Sequence, residues 1–320
     1  MNLSSYDNYT KTSLFNKLII EPNKEFYNVY NNYINNPQNN ESNSYILNLI
    51  SLKSKLVIPE IITKKKFLEL TTQTSNTYIS NFHSNLNKKY QCCNICLENF
   101  NDNYIITPCN HIFCFLCYNK LCTHSKKKYN LFENNLNLKQ INKKKINEQI
   151  KCPKCMNEFC RDKCYLISKS NIKNDKEKLI VQLFKKDKNI QKYFIQNIGY
   201  KTIYFLEKKE KFLQNSNSKF VIYLLIINQN WKKLIQKLLS SSHLKNINFL
   251  SIENLQNVNF KNKKFKIYIF EPLNLNHKQI INNFINNPEN KLHNSVNQII
   301  HIVIKNTIDE KIINNEVILN

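Results

Sequence analysis

One glycine, Gly199, stands in 320 residues. That scarcity excludes whole classes of chemistry. A phosphate-binding loop of the form G-x-x-x-x-G-K-[ST] needs at least two glycines, and the dinucleotide fingerprint G-x-G-x-x-G needs three. Neither can be written in this chain. Arginine is equally scarce: Arg161 is alone, although Lys and Arg together number 47 against 23 acidic residues, a formal net charge of +24. Specific recognition of phosphate or guanine draws on arginine's bidentate fork. The lysines are spread along the chain, with clusters of note at Lys126–Lys128 and Lys143–Lys145. They read first as a solvated surface that follows from an Asn-, Lys- and Ile-rich composition. Second, they make nucleic acid or an acidic partner a candidate.

Long apolar runs are also missing. The longest, Phe220–Ile227, has eight residues, less than half of what a spanning helix needs. The first 25 residues are polar and lack a small-residue cleavage site. The expectation is a protein with no membrane partner, intracellular, cytoplasmic or nuclear. In a reducing compartment its eleven cysteines read as metal ligands rather than disulfides.

Apolar residues make up 42% of the chain, and its length has room for two or three domains. Leu14, Leu18, Tyr27 and Tyr30 carry a helical spacing, and Asn35–Ser44 has the composition of a loop. Around Val57–Leu70 the pattern predicts an extended segment, a strand over Lys65–Leu70 and a helix starting near Thr72. Lys126–Glu148 is a basic, low-complexity insertion. Beyond residue 170, helix and strand signals alternate. Helices are expected at Glu177–Phe184, Thr202–Leu213, Trp231–Leu239 and His277–Ile285. Strands are expected at Phe220–Ile227, Asn248–Ile252, Lys266–Phe270 and Gln298–Ile304. That alternation points to an α/β layer with a mostly parallel sheet.

The chemistry-bearing pattern is Cys93-x2-Cys96, twelve residues, Cys109-x-His111-x2-Cys114-x2-Cys117, thirty-four residues, Cys152-x2-Cys155. Zinc takes four tetrahedral thiolate or imidazole ligands, and C-x2-C supplies two at the correct bite. Cys92 is an alternative to Cys93. Cys122, Cys160, Cys164 and His124 stand outside the pattern, as packing residues or, for Cys160 and Cys164, as part of a further zinc site beside the last knuckle.

Three cysteines, one histidine and four cysteines at these spacings resemble the RING family, whose spacing favours Cys93. The resemblance implies two zinc ions held in interleaved fashion. One is held by Cys93, Cys96, Cys114 and Cys117, the other by Cys109, His111, Cys152 and Cys155. It also implies a ubiquitin ligase that docks a ubiquitin-conjugating enzyme and does no covalent chemistry itself. The family's docking surface uses an apolar residue in the first knuckle and a proline in the last, here Ile95 and Pro153. Many active members carry a cation directly after the last cysteine, where this chain has Met156.

The flanks resemble Swi/Snf-type helicase-like ATPases that carry a RING between two motor lobes. The residues concerned are Val57–Ile62 with Phe67–Leu70 and Tyr78, Gly199-Tyr200-Lys201, Lys219–Ile227, Trp231–Leu239, Ile269–Pro272 with Gln279, Ile300–Ile304, and Thr307–Ile312. The resemblance implies that residues 1–88 end a first lobe, 89–165 form the finger, and 166–320 form a RecA-like, helicase C-terminal-like α/β domain. Departures from the family are equally specific. Asn257–Phe260 lacks the family's glycine turn, and the arginines that would stabilise a transferred phosphoryl fall at Asn283 and Asn286. The implied lobe is a degenerate one, without ATPase activity, serving as scaffold or adaptor surface for protein or nucleic acid.

Overall fold

The structure, a computed structural model, describes residues 15–35, 42–51, 59–73, 92–100, 103–122, 149–169, 176–186, 188–213, 220–239, 244–245, 247–258, 260, 264–287, 297–314 and 316. The chain divides into two compact units, residues 1–56 with 194–320, and residues 57–193. Tyr78, His124, Lys219, Asn259 and the Lys126–Glu148 insertion lie outside the described residues.

In chain order, the first unit opens with β1 (Phe15–Ile20), α1 (Lys24–Ile34) and α2 (Ser42–Ile50). The second unit holds β2 (Glu60–Thr63), α3 (Lys64–Gln73), β3 (Asn103–Ile106), β4 (Ile112–Cys114), a helix α4 over residues 115–122, β5 (Gln149–Lys151), β6 (Glu158–Cys160), β7 (Tyr165–Ser168) and α5 (Lys176–Lys186). The boundary falls within α6 (Lys188–Ile198). The first unit then resumes with α7 (Tyr200–Leu213), β8 (Phe220–Ile226), α8 (Gln229–Leu238), β9 (Asn248–Ser251), β10 (Lys264–Ile269), α9 (Leu275–Asn286), β11 (Gln298–Ile304) and α10 (Ile308–Ile313).

The first unit is an α/β layer on a five-stranded sheet of order β1-β11-β10-β8-β9, with all four pairings parallel. Parallel strands need crossovers; α8 supplies the one from β8 to β9 and α9 the one from β10 to β11. Tyr223, Leu225, Leu250, Phe265, Ile267, Ile299 and Val303 meet Ile281, Phe284 and Ile285 of α9 in one core. A second apolar focus gathers Trp231, Phe205, Phe212 and Phe270. The Trp231 and Phe270 rings stack at 5.6 Å, and the Trp231 Nε1 donates to Thr202 Oγ1 at 2.9 Å.

Strand and helix expectations hold from α5 onward, within one to three residues at most ends; α6 was not foreseen. Upstream, three readings are corrected. Leu18 lies on strand β1 rather than on a helix, because six residues of β1 pair with β11 across the sheet. Ser42–Ser44, expected in a loop, begin α2. Lys65–Leu70, expected as a strand, lies in α3, and the strand is the preceding Glu60–Thr63. Thr63 explains the switch: its Oγ1 accepts from the Lys66 N–H at 3.0 Å, a helix cap placed where the apolar β-branched run ends.

Lys201, just past the Gly199 turn (φ 81°), is fully buried and pairs with Asp309 of α10 at 2.9 and 2.8 Å. Burial pulls the lysine down and pushes the aspartate up, and their mutual attraction opposes both shifts. Asp309 also accepts from the Ile304 N–H at the end of β11. The Glu271 carboxylate, 1% exposed, accepts from Ile227 N and Asn228 N at 2.8 and 3.1 Å, which ties the loop after β8 to the end of β10. Asn283 and Asn286 are exposed on α9. Among the described residues no helix is long and apolar enough to cross a membrane.

Asp309→Ala should destabilise the first unit by about 3–5 kcal/mol, because it leaves Lys201 buried and unpaired. Lys201→Met with Asp309→Leu should recover most of that loss. Urea unfolding followed by tryptophan emission reads both, since Trp231 is buried in this unit.

Candidate metal centre

Both C-x2-C loops at the ends of the pattern are built alike. Cys93 N donates to Glu98 O at 2.8 Å and Leu97 N to Cys93 O at 2.9 Å. Cys152 N donates to Asn157 O at 2.9 Å and Met156 N to Cys152 O at 2.8 Å. Each loop is the turn of a hairpin, the first framed by the Cys92–Asn99 bridge and the last by β5 and β6. Leu97 and Met156, the residues after each second cysteine, both have φ 61°. A side-chain-bearing residue in that left-handed region costs about 1–2 kcal/mol, and the turn's hydrogen bonds offset it.

The middle loop depends on a residue not singled out from the sequence, Thr107. It is fully buried. Its Oγ1 accepts from His111 N at 3.2 Å, lies 3.0 Å from His111 O and reaches Cys109 Sγ at 3.2 Å. Asn110, at φ 62°, turns the chain between the two ligands. The available signal was a threonine two residues before Cys-x-His. Cys114 ends β4, and α4 begins at once, so its first turn presents Cys117 beside Cys114, whose Sγ accepts from the Cys117 N–H at 3.4 Å.

These elements bring the eight expected residues into two groups. Cys93, Cys96, Cys114 and Cys117 form one; Cys109, His111, Cys152 and Cys155 form the other. Within each, the donor atoms lie within 4.8 Å of one another. Either group could hold a metal ion. The spacing fits a tetrahedral zinc. Zn–S bonds of about 2.3 Å set sulfurs about 3.8 Å apart, and a Zn–N bond of about 2.0 Å sets sulfur and nitrogen about 3.5 Å apart. Cys96 and Cys114 Sγ are 3.8 Å apart, and His111 Nδ1 lies 3.4 Å from Cys109 Sγ and 3.3 Å from Cys152 Sγ. Burial, then the charge of Lys154, holds the His111 imidazole below its ordinary value, favouring the neutral form that a metal takes. Burial pushes the Cys109 thiol up to about 12, with Cys152 and Cys155 adding to the rise against the Thr107 hydroxyl. Three thiolates packed this closely around an imidazole would repel one another, and a bound cation would offset that repulsion.

Cys92, Cys122, Cys160 and Cys164 join neither group. Cys122 and Cys164 are buried, and the Cys164 thiol donates to the Cys160 carbonyl at 3.6 Å. The lone arginine is also structural. Arg161 is 2% exposed, and its guanidinium donates to Cys122 O at 2.8 Å, at the end of α4, where a cation suits the helix's free carbonyls.

Ile95 and Pro153 are both exposed, as are Leu97 (74%) and Met156 (66%). Lys154 Nζ donates to Asn94 Oδ1 at 3.2 Å, which joins the first and last loops, and Asn94 Nδ2 donates to Ile112 O at 2.9 Å.

No family model matches the sequence, and no curated protein matches it. Among solved structures, one match is to the crystal structure of the C-terminal part of the Fun30 ATPase domain. It has 11% identity and a TM-score of 0.37, and covers 96% of this chain and 90% of that one.

Elemental analysis of the purified chain should find about two metal ions. His111→Ala should lower the count to about one and open residues 103–169 to protease, because removing a ligand removes folding free energy. A count near two in that variant would show that the second group binds without its histidine.

Proposed function

We propose that residues 93–155 form a RING-type module holding two zinc ions, and that the protein is a ubiquitin ligase docking a ubiquitin-conjugating enzyme through Ile95 and Pro153. The observation that carries this reading is the interleaving of the ligand pairs. The first pair, Cys93 and Cys96, meets the third, Cys114 and Cys117, while the second pair meets the last. Consecutive pairs in a row of separate fingers would each close on the next. Interleaving draws the first and last loops together, and the Lys154–Asn94 bond spans them. Ile95, Leu97, Pro153 and Met156 stand exposed on those two loops. Apolar side chains held in the open by a rigid frame suit a protein interface better than solvent. Zinc supplies cohesion here and no bond chemistry. What this chain's residues do is present and orient a surface.

A second reading has one observation in its favour. Met156 carries no charge where many active RING members place a cation, and it is 66% exposed. On that reading the module is an adaptor: it binds its partner, protein or nucleic acid, without promoting ubiquitin transfer.

Discharge of ubiquitin from a panel of charged conjugating enzymes separates the two. Discharge by the wild type, reduced at least about tenfold by Ile95→Ala as expected for an interface anchor, supports the ligase. Absence of discharge across the panel supports the adaptor. Met156→Arg should raise the rate if docking is intact and only the cation is missing.

A further inference from the structure

The turn between β3 and β4 carries Cys109 and His111, and Thr107 lies fully buried at its entrance. Its main-chain bonds are settled. Thr107 N donates to His111 O at 3.1 Å, and Asn110 N donates to Thr107 O at 3.0 Å. With the Thr107 carbonyl turned to Asn110, the hydroxyl takes the amide across the turn: His111 N donates to Thr107 Oγ1 at 3.2 Å.

The hydroxyl has one hydrogen of its own to give. Two acceptors lie within reach of it, His111 O at 3.0 Å and Cys109 Sγ at 3.2 Å. With a thiol at Cys109 both contacts are made at once, since the S–H donates to Oγ1 and the O–H to His111 O. A metal-bound cysteine has no such hydrogen, because a coordinating thiol is deprotonated. An O–H kept on His111 O would then turn oxygen lone pairs toward an anionic sulfur. Turning it to Cys109 removes that repulsion and makes a bond to an ionised acceptor, the stronger kind. His111 O is not orphaned by the change, because it keeps the Thr107 N–H as its donor.

In the first group the corresponding bonds come from the main chain. Ile95 N donates to Cys93 Sγ and Cys117 N to Cys114 Sγ, both at 3.4 Å. Side-chain substitution leaves such donors in place. The bond to Cys109 is written in a side chain, and threonine's branched β-carbon restricts the rotation that would carry its oxygen away.

We propose that Thr107 is a positioning residue of the second metal group: on loading, its hydroxyl turns from His111 O to Cys109 Sγ, and this bond holds the ion of that group. The proposal rests on the reading that Cys109, His111, Cys152 and Cys155 bind a metal. Partners of this outer kind fix the orientation of a ligand and tune it.

The test uses the full-length chain loaded with cobalt(II), whose sulfur-to-metal absorption reports the thiolate donors. Thr107→Val keeps the branched shape and loses the hydroxyl, whereas Thr107→Ser keeps the hydroxyl and loses a methyl group. In a chelator titration, Thr107→Val should give up one of its two ions about 10–100-fold more readily than the wild type. Its other ion should be held as before, and its sulfur-to-cobalt band should shift. Thr107→Ser should restore both retention and band. Wild-type behaviour in Thr107→Val, equal weakening of both ions, or a Thr107→Ser no better than Thr107→Val would each overturn the proposal. Should Thr107→Val not fold, the wild type decides. Loaded with an NMR-active cadmium isotope, it should show the Thr107 hydroxyl proton coupled to the metal through Cys109 Sγ, and a hydroxyl proton without that coupling overturns the proposal. A wild type that holds fewer than two ions sinks the reading of the metal module itself. Two ions held alike in wild type and Thr107→Val sink this inference alone.

Discussion

Eight sulfur and nitrogen donors in two groups are the constraint on which the second unit depends. The strands there are three or four residues long. Elements so short do not hold themselves. Each ligand pair takes its geometry from a local turn, and each turn is stable only in the company of a pair distant in sequence. Thr107 shows how this works in detail. One hydroxyl organises the backbone between Cys109 and His111, so both side chains are set toward the same group. The left-handed Leu97 and Met156 belong to the same logic: the turn sets their backbone, and as a by-product their side chains stand outward.

The first unit is held by different means. Its parallel sheet is covered by helices, and the few polar groups buried in it are spent on joining chain segments far apart in sequence. Lys201 with Asp309 links the start of α7 to α10, and Glu271 links the loop after β8 to the end of β10. The α1 region is fastened likewise, with Tyr200 Oη accepting from Asn23 N and Tyr30 Oη accepting from Ile308 N. Buried pairs of this sort add specificity of arrangement more readily than net stability.

Legibility in the sequence followed the range of the interactions. The ligand register could be read directly, since metal coordination demands residue types at fixed spacings whatever surrounds them. The later strands and helices could be read because apolar periodicity reports a buried face, as at Phe220–Ile226 and Gln229–Leu238. Leu18 could not. Its stretch becomes a strand only because β11 offers an edge nearly three hundred residues away. The α3 boundary failed for a local reason: the cap at Thr63 starts a helix where the β-forming Ile-Ile-Thr of β2 ends. Arg161 answers the Cys122 carbonyl, a contact that no spacing in the sequence announces.

Consider last the bond from Arg161 to Cys122 beside the pairing of Cys109 and His111 with Cys152 and Cys155. Both bring residues up to 122 together with residues from 152 onward. With an ion in that group, continuity of the polypeptide across the interval would be redundant with the ion and the guanidinium. A chain nicked anywhere between those positions would remain one object, its halves clasped through an ion. The length of the intervening sequence is thereby left open to drift, like slack in a rope already knotted at both ends.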